Sequence, residues 1–312
     1  MCLSRLFQII QGRLVYWLAF LGIQIDHVEK QRFQLRSCHV PVHNIMRGTV
    51  GKDGHVDVDE VIEEKSKEPK ILLVSFAGST FLPGGFPRAE FQTVLSMAAE
   101  RCGVLHRTDC LFLVDPSVTF YLKSSKAKRF HSLRHNNWTG WDELEEKINR
   151  LIRTRQYDKV ILVGSSMGAT AILALCGRIQ CDKVVVFNPL VDLVRESRSG
   201  FWVGGTRLPE HIRTRMPNII AEQCWKSTAK ILVHSSKRSP ADVAQLMYLE
   251  NAILAHHDNI ADNFCRKKMR RADPVLEAVW HDTDKHVLPR ELKKRSRLLP
   301  LLEKALRETL QE

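Results

Sequence analysis

The 312-residue chain contains no low-complexity run and no internal repeat of fixed period, which excludes solenoid and array architectures. It has no C-x-x-C pair: Cys2, Cys38, Cys102, Cys110, Cys176, Cys181, Cys224 and Cys265 are scattered. None stands at metal-ligand spacing from a histidine, so neither a zinc site nor a disulfide framework is expected. These thiols read as reduced, which suits a cytosolic or organellar compartment. His281-Asp282-Thr283-Asp284 offers nitrogen and oxygen ligands, but one tetrapeptide lacks the distributed donors a metal site needs. No metal and no cofactor are expected. The apolar stretch at 14–23 falls short of the roughly 20 residues a spanning helix requires. Residues 1–25 carry Arg5 and Arg13 but no acid, and no clear small-x-small cleavage site marks them as a secretory signal. Residues 1–30 therefore read as a targeting segment, a membrane-surface helix or a helix packed on the domain.

Acidic residues are in the minority. Lys and Arg number 47 against 35 Asp and Glu, a net charge of +12. The excess gathers at 123–129, 266–271 and 290–297. Such a balance suits nucleic acid, anionic lipid or a phosphorylated substrate. No RNP or zinc-finger motif accompanies it, so no specific nucleic acid is expected. Solvated helix faces are the plainest reading, with an anionic membrane surface as the alternative partner.

A hydrophobic content of 44% is sufficient for a core. Residues 40–50 and 55–61 are extended in character and joined by Gly51-Lys52-Asp53-Gly54, which predicts an antiparallel hairpin within 31–62. After a charged linker, strands at 71–76, 111–115, 159–164, 183–188, 230–235 and 275–280 alternate with helices. The clearest of those helices fall at 86–102, 141–155 and 290–310. Short all-apolar strands alternating with helices predict an α/β fold, a parallel sheet covered on both faces. The interval 190–229 is longer than a plain connection and predicts a small cap on a domain running from 31 to 312.

The most informative segment joins Val160-Ile161-Leu162-Val163 to Gly164-Ser165-Ser166-Met167-Gly168 and then to Ala169-Thr170-Ala171-Ile172-Leu173. This is G-x-S-x-G in strand-turn-helix context. A serine hydroxyl is a poor nucleophile unless it is held exposed, beside a base and near backbone N–H donors. A sharp strand-to-helix turn supplies that placement and tolerates only small flanking residues. The helix N-terminus adds the positive end of a dipole. The segment predicts Ser166 as a nucleophile.

These residues resemble the α/β-hydrolase fold superfamily over roughly 31–310. The 164–168 turn matches its nucleophile elbow. Ser75-Phe76-Ala77-Gly78-Ser79-Thr80 is similar to the Ala-Gly-Gly-Ser turn of type II thioesterases, with Ser79 where the second Gly would stand. There is a further, diffuse likeness to hydrolase-fold proteins of bacterial surface-polysaccharide and accessory-secretion loci. It is carried by Asp115 and Tyr121, Phe187-Asn188-Pro189, Asp242 and His286-Val287-Leu288.

The resemblance implies the chain order serine, acid, histidine. His286, between the last predicted strand and the C-terminal helix, is the expected base, with His281 as its competitor and His256 and His257 in helical sequence. Asp242 is the first carboxylate after the strand at 230–235 and is the expected acid. A helix first turn is the other reading of Pro240-Ala241-Asp242. The N–H groups of Met167 and Ala77 are the expected oxyanion donors. Phe76, Phe201 and Trp202 are candidates for lining an acyl or aryl pocket, or else plain core. The leading expectation is a serine hydrolase for a small-molecule or lipid carboxylic ester or thioester. An acyltransferase with a sugar or lipid acceptor and a catalytically silent binding module are the alternatives.

Overall fold

The computed structural model of the protein describes residues 45–47, 70–78, 91–113, 120–122, 140–194, 208, 210–263 and 276–312. Seven strands form one sheet: β1 (Ile45–Arg47), β2 (Ile71–Phe76), β3 (Thr108–Leu113), β4 (Lys159–Ser165), β5 (Lys183–Phe187), β6 (Lys230–Ser236) and β7 (Glu277–His281). Their spatial order is β1-β3-β2-β4-β5-β6-β7, and every pairing is parallel. β2 and β4 are central and buried almost throughout because helices cover both of their faces. β7, on the edge, is only half-buried and leaves Trp280 exposed.

Side chains alternate across each strand and feed two cores. Leu72, Val74, Phe76, Leu162 and Val186 join one core with α2 (Gly140–Arg155), α3 (Met167–Leu175), α4 (Glu210–Lys226) and α5 (Pro240–Asn263). Ile71, Leu73, Ile161, Val163 and Phe187 join the other with α1 (Gln92–Arg101), α6 (Leu288–Lys294) and α7 (Leu298–Gln311). All nine residues of α3 are buried, so the helix behind the serine turn is covered on every side.

The strands predicted at 71–76, 159–164, 183–188 and 230–235 match within a residue at each end, while the second strand is displaced by two or three and the last by one or two. The single helix expected at 290–310 is two. Ser296 takes a left-handed φ of 55°, the Ser296 N–H donates to the Lys293 carbonyl and the Arg297 N–H to that of Leu292, a Schellman stop that ends α6. Within this basic stretch, Lys294 and Arg295 pair with Glu291 along the helix surface. Ile45–Arg47, expected in a hairpin, adds to the β3 edge in parallel, and the remainder of that hairpin lies outside the described residues. So do residues 1–30, the basic stretches 123–129 and 266–271, and 195–207 of the cap interval; 210–226 of that interval is α4. Among the described residues no helix is long and apolar enough to cross a membrane.

Candidate active site

Ser166 sits between the end of β4 and the start of α3, with φ 48° and ψ −118°. A non-glycine residue holds that conformation only when its surroundings force it. Here the Ser166 N–H donates to the Phe187 carbonyl at 2.8 Å, and its own carbonyl accepts the Thr170 N–H at 3.0 Å. The backbone is thus held from β5 on one side and by the first turn of α3 on the other. Gly168 lets β2 come close: a Cβ there would lie 2.2 Å from the Phe76 carbonyl oxygen and 2.7 Å from that of Ala77. Both are backbone atoms and cannot swing aside. A Cβ on Gly164 would meet the Gly168 carbonyl oxygen at 3.1 Å and the Ile172 side chain at 2.7 Å.

His286 lies in the loop between β7 and α6, and its Nε2 is 3.1 Å from the Ser166 Oγ across 120 residues of sequence. Its Nδ1 is 2.6 Å from Oδ1 of Asp242. Asp242 stands in the first turn of α5 and is 2% exposed. Asp242 therefore stands in a helix first turn while its carboxylate reaches the imidazole. An ionised carboxylate only accepts, so Nδ1 is the donor in that pair and Nε2 keeps its lone pair toward the hydroxyl. A hydroxyl, imidazole and buried carboxylate in this order can pass a proton from oxygen to nitrogen while the charge formed stays compensated. Oδ2 of Asp242 is buried without a hydrogen-bond partner among the described residues.

The competing histidines are placed elsewhere. His281 turns its Nε2 to Nδ1 of His234 at 2.9 Å, and His234 stacks on Phe187 with ring centroids 4.9 Å apart. His257 packs its ring against Trp225, and His256 lies beside it on α5. Asp258 and Asp262 belong to the same helix, and Asp258 is about 24 Å along the axis from Asp242 at 1.5 Å per residue.

Burial pushes the His234 imidazole from its ordinary value of 6.5 down to about 3, and the neighbouring His281 adds to the effect. In the unfolded chain the same ring takes up a proton near 6.5. Between those pH values the unfolded state binds more protons, so stability falls as pH drops, by at most about 1.4 kcal/mol per pH unit. His234→Phe keeps a ring against Phe187 and cannot charge. Urea titrations across that window are expected to show a shallower acid loss in the variant than in the wild type. Parallel curves for the two would remove His234 from the account.

Two of the expected oxyanion and pocket residues need correction. The Ala77 N–H extends the sheet ladder by donating to the Leu113 carbonyl at 2.9 Å, so it does not serve as an oxyanion donor. Phe76 is fully buried and meets Tyr121 edge-on at 5.2 Å, which makes it core rather than pocket wall. It belongs to a central strand, and its alternation points it into the helix layer. Phe201 and Trp202 lie outside the described residues. Met167 opens α3; the first intrahelical bond runs from Thr170 to Ser166, so the Met167 N–H has no partner within the helix and stands beside the serine.

Two supporting side chains escaped sequence reasoning. The Thr170 hydroxyl accepts the Leu190 N–H at 2.9 Å, and Oε1 of Gln245 accepts the N–H groups of Val191 and Asp192 at 2.6 and 2.7 Å. Gln245 is three residues past Asp242, which places it on the same helix face. The loop after β5 is thereby tied to both α3 and α5.

No protein-family model matches the sequence, and no curated protein matches it. Solved structures do match. An acetyl ester-xyloside bifunctional hydrolase from Caldicellulosiruptor lactoaceticus is 13% identical, with TM-score 0.50 over 78% of this chain and 85% of the other. A capsule O-acetyltransferase of Neisseria meningitidis serogroup A is 10% identical, with TM-score 0.46 over 80% and 89%. The esterase domain of a Rhodothermus marinus protein is 11% identical, with TM-score 0.45 over 78% and 88%. At such identities the likeness concerns the fold.

Proposed function

We propose that this chain, which has the α/β-hydrolase fold, is a serine hydrolase that cleaves a carboxylic ester or thioester through an acyl-enzyme on Ser166. One observation carries the reading: the Ser166 Oγ, His286 Nε2, His286 Nδ1 and Asp242 Oδ1 form a continuous relay, with links of 3.1 and 2.6 Å, at a strained strand-to-helix turn. Structural turns have no need of a positive φ at serine and a buried carboxylate behind a histidine. Together they present the serine hydroxyl and aim Nε2 at it.

As Oγ attacks the acyl carbon, Nε2 takes its proton, and Asp242 holds Nδ1–H and stabilises the imidazolium. The tetrahedral oxyanion accepts from the Met167 N–H at the positive end of α3. When the intermediate collapses, the imidazolium returns the proton to the departing alcohol or thiol. Water, deprotonated by the same Nε2, then attacks the acyl-serine; as the acid departs, the imidazolium returns that proton to the Ser166 oxygen and the site is restored. An ester substrate is in keeping with the acetyl ester-xyloside hydrolase that shares the fold.

The test is a fluorophosphonate probe on the full chain, with the labelled peptide identified by mass spectrometry. Labelling confined to Ser166, with turnover of short p-nitrophenyl esters, is the expected result. An unlabelled, inactive protein would leave the binding-module reading standing. Transfer to an added sugar hydroxyl in preference to water would make the protein an acyltransferase.

A further inference from the structure

Asn188 follows the last residue of β5, with a left-handed φ of 44° and 1% exposure. Asparagine tolerates that backbone better than most residues do. Its N–H donates to the His234 carbonyl at 2.9 Å, which prolongs the pairing of β5 with β6 by one step. The side chain then crosses to the histidine loop. Nδ2 donates to the His286 carbonyl at 2.6 Å and to Oγ of Ser236 at 3.0 Å, while Oδ1 accepts the Ser236 N–H at 3.1 Å. A backbone N–H can only donate and a carbonyl can only accept, so the amide has one orientation here. The Ser236 hydroxyl completes the chain by donating to the Lys285 carbonyl at 2.7 Å.

Two consecutive carbonyls, those of Lys285 and His286, are thus held by a pair of buried side chains at the ends of β5 and β6. The His286 carbonyl also accepts the Leu288 N–H at 2.8 Å, across Val287 at φ −78° and ψ 65°. That is an inverse γ-turn, the tightest reversal available without strain. Both acceptor positions of the His286 carbonyl are therefore filled. Neither Asn188 nor Ser236 hydrogen-bonds the side chain of Ser166 or Asp242; those two bond to His286. Their effect falls on the backbone that carries the imidazole.

We infer that Asn188, with Ser236, is a positioning residue that sets His286 at the distance from Ser166 and Asp242 that proton transfer requires. This rests on the role of His286 proposed above. The bonds come from amide donors. A simple packing role would need only the volume and the tolerance of positive φ. Asn188→Asp separates the two, because it keeps size and backbone preference while presenting acceptors to a carbonyl. Asn188→Gly keeps the backbone and removes the amide.

The experiment measures kcat, KM, the rate of fluorophosphonate inactivation and the melting midpoint of the full chain for wild type, Asn188→Asp, Asn188→Gly and Ser236→Ala. Assays run well above the carboxylate range. Both Asn188 variants are expected to lose roughly 10²-fold in kcat and in inactivation rate, the scale of a misplacement of about 1 Å, with KM near wild type; the melting midpoint is expected to fall as well, most in Asn188→Asp, whose buried carboxylate faces carbonyl oxygens. Ser236→Ala, which releases one of the two carbonyls, is expected to lose less. Wild-type kcat in Asn188→Asp, or losses confined to the melting midpoint, would overturn the inference and assign Asn188 to packing. A wild type that neither turns over esters nor labels would overturn the proposed function, and this inference with it. A wild type that labels, beside unaffected variants, would overturn this inference alone.

Discussion

Ser166→Ala is expected to fold as the wild type does and to lose ester hydrolysis by on the order of 10⁶-fold, the scale seen when a triad nucleophile is deleted. The substitution removes one oxygen. Alanine keeps the Cβ that Ser166 already carries at φ 48°, so the turn gains no strain. The backbone bonds to Phe187 and from Thr170 do not involve the side chain. The loss therefore reads on chemistry, and matching circular dichroism and melting curves would confirm that the fold is kept. Ser165→Ala is the matched control. Ser165 ends β4 and precedes the turn, and its variant is expected to keep most of its turnover. Wild-type-like hydrolysis by Ser166→Ala would sink the nucleophile assignment whatever the geometry around it.

The second large effect belongs to the acid. Asp242→Asn preserves shape at a position 2% exposed, 2.6 Å from Nδ1 of His286. An amide turned to donate to Nδ1 selects the tautomer with its proton on Nε2, which can no longer accept from the serine. The expected cost is roughly 10⁴-fold in kcat, with KM little changed. The fold is expected to be kept, because asparagine has the same shape as the aspartate it replaces. Asp258→Asn and Asp262→Asn serve as the comparison, since the helix that carries all three takes them away from β6. Near-normal kcat in Asp242→Asn, with collapse in either of the others, would move the acid along the helix.

The strand-turn-helix around Ser166, the sheet and the loop that carries His286 were open to sequence reasoning because their signals are local or follow chain order. Apolar runs such as Val160–Val163 are strands in parallel sheets because both faces are covered, and small residues around Ser166 leave room for a turn and a close-packed helix. The break at Ser296 was local too, yet a serine in the left-handed region carries no sequence mark as plain as glycine would. Helix propensity on both sides concealed it.

Tertiary structure alone decided how the polar groups are shared out. Nothing in Ser75-Phe76-Ala77-Gly78 says that the Ala77 N–H is taken by Leu113, or that Phe76 turns into the core against Tyr121. Those allocations depend on which strand lies alongside β2, and β3 is reached only through the intervening helix α1. In sequence Asp242 reads either as a carboxylate in a helix first turn or as an acid, and only the fold brings it to His286, 44 residues away. Asn188 drew notice only as part of Phe187-Asn188-Pro189, and its donors became meaningful when β6 and the histidine loop were placed around it. Secondary structure answers to neighbours a few residues apart, whereas a hydrogen bond between distant segments answers to the packing of the whole sheet.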